Sequence, residues 1–443
     1  MLGALGTVVI LNVALLGSDP WPFHPGPIEP RGALASVVRL AHSHWDLGLL
    51  RSAAMVAGIG VVALATATCL VRAWRAWVLS LACFLVVASL VLPAIALQVG
   101  LREATAPWFY TNDSTYQLEL AGALVLDGHN PYGHDYSSSG LVRFYSLNGT
   151  IEPGTAEREV ALHHFAYFPG AALFSAVWRL LPSPFDDVRI LVGLTTLALL
   201  GAALLFPGPA WARLSLGVLL AANPLVGWGA WFGNDDAPTL LLLVLTFALA
   251  VRRRPGWTGV ALGAAILTKQ FALVAAPFLA VMLWKESRRA LGRFALTAGA
   301  VVTAGVLPFL VADPRALWDD TVTYGTGTYR IVGYGLPALL VRGGIIEDRH
   351  GSYPFLLLCL LIWLPVTAVL LREQQRSSES WFSAAGFTVS MFLLLFLGRV
   401  FHISYLVYPL TGILLAGLLL LTSTQASAAH PVADEDERPA DAT

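Results

Sequence analysis

Apolar runs long enough to cross a bilayer recur from one end of this chain to the other. Candidate spans cover residues 1–17, 49–71, 77–99, 188–206, 211–230, 236–251, 291–311, 354–371, 381–398 and 403–422. A helix needs about 17 to 25 apolar residues to cross roughly 30 Å of hydrocarbon. It also satisfies its own backbone polar groups, which lipid cannot do. The expected fold is therefore all-α, a polytopic transmembrane helical bundle. Of 443 residues, 56% are hydrophobic and 12% charged. Soluble domains carry about a quarter of their residues as charges, so too few remain here to coat a water-facing surface. The net charge of −1 supplies no basic footprint for nucleic acid. Cys69, Cys83 and Cys359 all sit inside apolar runs without CxxC spacing, which suits buried thiols and indicates neither a disulfide framework nor a zinc site. Residues 1–17 lack the basic start and small-residue cleavage site of a secretory leader, and read as a first span.

Two apolar segments do not fit a simple crossing. Segment 166–181 is short and bounded by polar or proline-rich stretches, so it is expected to lie in the interface. Segment 257–284 is too long for one span and is broken by Lys269-Gln270, so it reads as a short hairpin or two short spans with Lys269 outward. With both assignments, Arg72, Arg75, Arg213, Arg252–Arg254, Lys285, Arg288, Arg289, Arg372 and Arg376 all fall on the cytoplasmic side, as basic short loops should. The outer side then receives segment 18–48, the loops within 100–187 and 313–352, and the short turn at 231–236. The tail 426–443, with Asp434–Glu437, is expected to be a disordered acidic cytoplasmic segment. The expected division is 1–76 as extra N-terminal spans with an outer segment, 77–425 as the main membrane domain, and then the tail.

Candidate chemistry concentrates at the outer side. Ser114 and Gln117 have capping-box spacing and would open a surface helix of about 12 residues. Tyr116, Leu120, Ala123 and Leu124 would share its face, and Gly128 with Asn130-Pro131-Tyr132 would end it. Asp113 stands at its entry, either as a cap or as a reactive carboxylate. Asp235 and Asp236 precede Ala237-Pro238. A capping role explains one of them but not two adjacent carboxylates next to hydrocarbon, where uncompensated charge is costly. Lys269, Arg399 and His402 are basic groups at membrane depth. Snorkelling is the plain alternative for Arg399, while Lys269 suits a phosphate near the outer leaflet. His129, His134 and His163-His164 lack metal-site spacing.

The order of these features resembles the GT-C superfamily of integral-membrane glycosyltransferases. The shared features are an early acidic outer loop with a surface helix, the Asn130-Pro131-Tyr132 turn, and Tyr167-Phe168-Pro169. Asn234-Asp235-Asp236, the Gly263–Lys269 segment and Arg399-x-x-His402-x-x-Tyr405 complete the pattern. The nearest likeness is to bacterial polyprenyl-phosphate-mannose-dependent mannosyltransferases, glycosyltransferase family 87-like, over about residues 100 to 415. Residues 1–76 are extra to that pattern. The resemblance implies a GT-C-like bundle with interfacial helices in the first large extracytoplasmic loop, in the plasma membrane, with its active site outside. It implies Asp113 as general base and Asp235 and Asp236 as acceptor or donor groups. Lys269, Arg399 and His402 would lie at the lipid phosphate, with Asn130 and Tyr132 bordering the sugar. The expected reaction moves a sugar, mannose by family expectation, from a polyprenyl-phosphate donor to a glycolipid, glycan or protein acceptor with inversion. No metal is required, although the paired aspartates leave a divalent ion open. The alternative is a multi-pass transporter or lipid flippase. It predicts matching broken helices in two halves, and the chain shows one early loop-and-helix insertion without a late counterpart.

Overall fold

A computed structural model describes residues 1–12, 47–69, 71, 75–102, 112–144, 160–377 and 379–429. The end of the first candidate span, nearly all of segment 18–48, Arg72, residues 103–111 and 145–159 of the early loop, and the acidic run Asp434–Glu437 lie outside the described residues.

The chain is a polytopic helical bundle. Among the described residues, five helices are long and apolar enough to cross a membrane: Leu50–Thr68, Arg75–Gly100, Arg288–Ala312, Phe355–Arg376 and Ile403–Thr424. Ala210–Ala221 and Pro224–Trp231 together are also long and apolar enough, and they meet at a bend of 46°. The physical cause is local: Asn223 caps the second piece by accepting from the Leu225 and Val226 N–H groups, and Pro224 enters at its first turn. The other candidate spans form shorter helices, Leu2–Asn12, Val188–Ala203, Asp236–Val251 and Trp381–Leu397.

Following the chain, α1 is Leu2–Asn12, α2 Leu47–Thr68 and α3 Arg75–Arg102. Next come α4 (Asp113–Leu126), α5 (Pro169–Trp178), α6 (Val188–Ala203), α7 (Ala210–Ala221) and α8 (Pro224–Phe232). Then α9 is Asp236–Val251, α10 Pro255–Thr268, α11 Ala276–Glu286 and α12 Arg288–Ala312. Segment 257–284 is indeed interrupted at Lys269, whose extended backbone ends α10 and leads through a 3₁₀ stretch, Gln270–Ala275, into α11. With 14 and 11 residues, neither piece reaches the roughly 20 residues of a crossing. Helix α10 packs against α9 and α12. A side chain at Gly259 would strike Thr297 and the Phe294 carbonyl, and one at Gly263 would lie 2.9 Å from the Ala298 carbonyl oxygen. Small residues at such contacts let backbones close up where lipid offers no hydrophobic drive.

The basic loops meet in pairs. Arg252 Nε donates to the Leu205 carbonyl, and Lys285 Nζ donates to the Gln374 and Ser377 carbonyls. In the early loop, α4 packs on α5, and a second apolar cluster gathers Tyr116, Tyr132, Phe165, Ala172, Phe309 and Leu317 beneath it. After α12, a short α13 (Pro314–Trp318) runs into a π-helical turn, Asp319–Thr328. Two residues, Val332–Gly333, pair in parallel with Val400–Phe401 and tie this late loop to the chain that follows Trp381–Leu397.

Candidate functional site: a cavity between the early and late loops

The entry of α4 is built differently from the capping box expected at Ser114. Asn112 is the cap, its Oδ1 accepting from the Thr115 N–H at 3.0 Å. Gln117 instead donates to the carbonyls of Ala161 and His164, at 3.2 and 2.8 Å. The buried face comprises Thr115–Glu119, Ala121 and Gly122, while Leu120, Ala123 and Leu124 are only half-buried. The face turns because a second structure docks here. Thr115 Oγ1 donates to the Gly233 carbonyl, Asn112 Nδ2 lies 3.4 Å from Asn234 Oδ1, and Ser114 Oγ lies 3.3 Å from Asp235 Oδ1. Asp113 is thereby registered against the turn 233–236. Gly233 makes that turn, closing α8 in the left-handed region at φ 66°.

Neither Asp235 nor Asp236 makes a side-chain cap on α9. Both turn to Lys269, whose Nζ lies 3.0 Å from Asp235 Oδ1 and 2.5 Å from Asp236 Oδ1. Tyr408 Oη donates to the same Asp236 oxygen at 2.8 Å, while Asp236 Oδ2 is buried without a partner. The three charged groups are at most 7% exposed. The Lys269 ammonium lies 5.7 Å from each of the Tyr167 and Tyr405 ring centres. The break in α10 thus places a cation between two carboxylates. Lys269, expected at a lipid phosphate, is held here by both carboxylates.

These groups sit at a cavity of about 840 Å³. Asp113, Asp235, Lys269, Arg399 and His402 all line it, with Asn112, Ser114, Gln117 and Asn234 beside the acids. Phe271, Leu273, Leu394, Leu395 and Ile403 give it an apolar side, and Thr321, Tyr324, Thr326 and Tyr329 of the late loop form a further wall. Asp236 stands behind this lining. Arg399 is 3% exposed and donates through Nε to the Tyr329 carbonyl at 2.9 Å and through Nη1 to the Gly351 carbonyl at 3.2 Å. It fastens the late loop, so snorkelling does not describe it. His402 is exposed within the lining.

Asn130 and Tyr132 are not brought to the cavity. Asn130 Oδ1 accepts from the Tyr132 N–H within the turn, and Tyr132 packs edge-on against Phe165 and Phe309. The Tyr132 hydroxyl donates to the Tyr167 carbonyl at 2.8 Å, so it supports a lining residue from behind. Burial, and then the nearby Asp320 charge, push the Tyr132 phenol well above its usual range. His163 and His164 pair with Asp135 and Asp320 respectively. Among the described residues no group of three or more His, Cys, Asp or Glu is placed to hold a metal ion. Asp320 and Tyr408 are the residues whose parts in this architecture sequence reasoning missed. Tyr408 could have been found, because it follows Tyr405 by three residues and so continues the same side of a helical turn.

A family model described as glycosyltransferase family 87 matches residues 165–398. The match takes in Asp235, Asp236, Lys269 and the late loop, and stops short of Asp113, Arg399 and His402. No curated protein and no solved structure matches the chain.

Proposed function

The chain belongs to glycosyltransferase family 87, and from that premise we propose that it transfers a sugar, mannose in the first instance, from a polyprenyl-phosphate donor to an acceptor outside the plasma membrane. What carries the reading is one cavity shared by Asp113, by the Asp235–Lys269 pair and by an apolar side. The polyprenyl chain would occupy the apolar side, formed by Phe271, Leu273, Leu394 and Ile403, and the phosphate and sugar would extend toward the carboxylates.

In the proposed step the Asp113 carboxylate takes the proton of an acceptor hydroxyl while that oxygen attacks the anomeric carbon. The new C–O bond forms on the face opposite the phosphate. The old C1–O bond breaks, its electron pair leaves on the polyprenyl phosphate, and the anomeric centre inverts. His402, exposed in the lining, supplies a hydrogen bond to the leaving phosphate, and the fixed charge of Arg399 adds to the field there. Lys269 acts indirectly, holding Asp235 against Ser114 and so holding the entry of α4 in register. Glycolipid, glycan and protein remain the acceptor classes.

The test uses purified protein in lipid nanodiscs with a panel of polyprenyl-phosphate sugars, scoring release of polyprenyl phosphate. Asp113→Asn should keep the wild-type melting temperature and lose about 10²–10⁴ in turnover, the usual contribution of a general base. Wild-type turnover in that variant removes Asp113 from the mechanism. A folded wild-type protein that releases polyprenyl phosphate from no donor overturns the reading.

A further inference from the structure

The late loop is fastened at both ends. Asp320 is 2% exposed, and its Oδ2 accepts from the Gly133 N–H at 2.9 Å and the Phe165 N–H at 3.1 Å. Its Oδ1 pairs with His164 Nδ1 at 2.6 Å. One carboxylate thus joins the turn after α4, the segment before α5 and the π-helical turn. At the other end, Arg399 holds the Tyr329 carbonyl, and Val332–Gly333 pairs with Val400–Phe401. Between these anchors Thr321, Tyr324, Thr326 and Tyr329 line the cavity, Thr321 and Tyr324 being nearly buried and Tyr329 half-buried. The Tyr324 ring stacks on His164 at 4.8 Å and meets Tyr329 edge-on at 5.1 Å. The Thr321 and Thr326 hydroxyls donate back to the Leu317 and Val322 carbonyls, at 2.6 and 2.8 Å, which leaves their oxygens as acceptors. A π-helical turn is uncommon and recurs at functional sites.

Resting on the transferase reading above, we propose that this turn is the acceptor-selecting wall, with Tyr324 and Tyr329 forming an aromatic corner for a sugar ring of the acceptor and Asp320 as the positioning residue that sets it. A pyranose presents C–H patches that lie against aromatic rings and hydroxyls that need acceptors and donors. Tyrosine rings supply the apolar face, and the threonine oxygens with Gln117 Oε1, whose amide N–H groups are engaged by the Ala161 and His164 carbonyls, supply acceptors. A sugar ring could belong to donor or acceptor. The apolar lining at Phe271, Leu273 and Leu394 gives the lipid-borne donor its side. The aromatic corner instead adjoins the early loop through His164, so the acceptor is assigned to it.

The experiment takes the full chain in nanodiscs with whichever polyprenyl-phosphate sugar supports release. Octyl glycosides of mannose, glucose and galactose serve as acceptors, and a serine- and threonine-containing peptide as the comparison. Tyr324→Ala and Tyr329→Ala should each raise the acceptor KM about tenfold, the loss of one aromatic contact, with the donor KM moving less than about twofold. Tyr324→Phe, which keeps the ring, should hold the acceptor KM near wild type. Asp320→Ala should raise the acceptor KM in the same direction, with little further rise when combined with Tyr324→Ala. A rise in donor KM, or neither KM moving in the alanine variants, overturns the assignment. Release of polyprenyl phosphate to water, with acceleration by the peptide and by no glycoside, overturns the sugar corner while leaving the transferase standing. Absence of release from every donor brings down both.

Discussion

Replacing Lys269 with methionine removes the cation between Asp235 and Asp236 while keeping a chain of similar length and apolar volume. Breaking a buried ion pair by deleting one partner costs about 3–5 kcal/mol, because the survivor stays charged and desolvated. The two survivors here are not equal. Asp235 lines the cavity and keeps Ser114 Oγ nearby, so water can reach it. Asp236 is 4% exposed, lies behind the lining and retains only the Tyr408 hydroxyl. The penalty therefore falls mainly on Asp236 and sits near the lower end, about 3 kcal/mol. For a chain of this length that corresponds to a fall of about 3 °C in apparent melting temperature. Thermal unfolding of purified protein in nanodiscs would read it. The double variant Asp236→Asn with Lys269→Met should recover most of the loss, since a neutral amide needs no counter-ion. If Lys269→Met melts within about 1 °C of wild type, a shift below about 1 kcal/mol, while abolishing sugar transfer, the lysine serves substrate rather than the carboxylates and the argument fails.

Three further outcomes follow from particular contacts. A methyl group at Gly170 would lie 2.8 Å from the Leu267 carbonyl carbon and oxygen, so Gly170→Ala should push α5 off α10 and destabilise by about 1–3 kcal/mol, measured by the same melting assay. Tyr132→Phe removes the bond to the Tyr167 carbonyl and should cost about 1–3 kcal/mol, with donor and acceptor KM values near wild type; a selective change in either KM would mean that Tyr132 contacts substrate after all. Because Lys269 already neutralises part of the Asp235–Asp236 charge, treatment with EDTA should leave transfer within about twofold, well short of the several kcal/mol that a catalytic metal supplies; a loss restored by magnesium or manganese would show a metal competing with the lysine.

The bundle could be read from hydropathy because span length is a one-dimensional property. Lipid forces each crossing to satisfy its backbone internally, so apolar run lengths foreshadow helices such as Arg288–Ala312 and Ile403–Thr424. The break at Lys269-Gln270 was legible for the same reason, since a charged residue in an apolar run calls for an irregular, protein-lined position. The short helix Pro169–Trp178 was also announced by the length of its apolar run and its flanking polar segments. The acids and bases that the sequence singled out were a mixed set. Asp113, Asp235, Lys269, Arg399 and His402 meet at one cavity, whereas Asn130 and Tyr132 form a supporting turn.

Sequence by itself determined the helical class, the order of the apolar segments and the irregular point at Lys269, because those depend on local composition and on the thickness of a bilayer. Only the tertiary structure decided which charges meet. Lys269 finds Asp235 and Asp236 from 34 and 33 residues away, and Asp320 finds His164 from 156 residues away. No local pattern encodes such pairings, because each depends on how several helices pack. Buried charge is costly to leave uncompensated, and packing brought the partners that the chain order keeps apart.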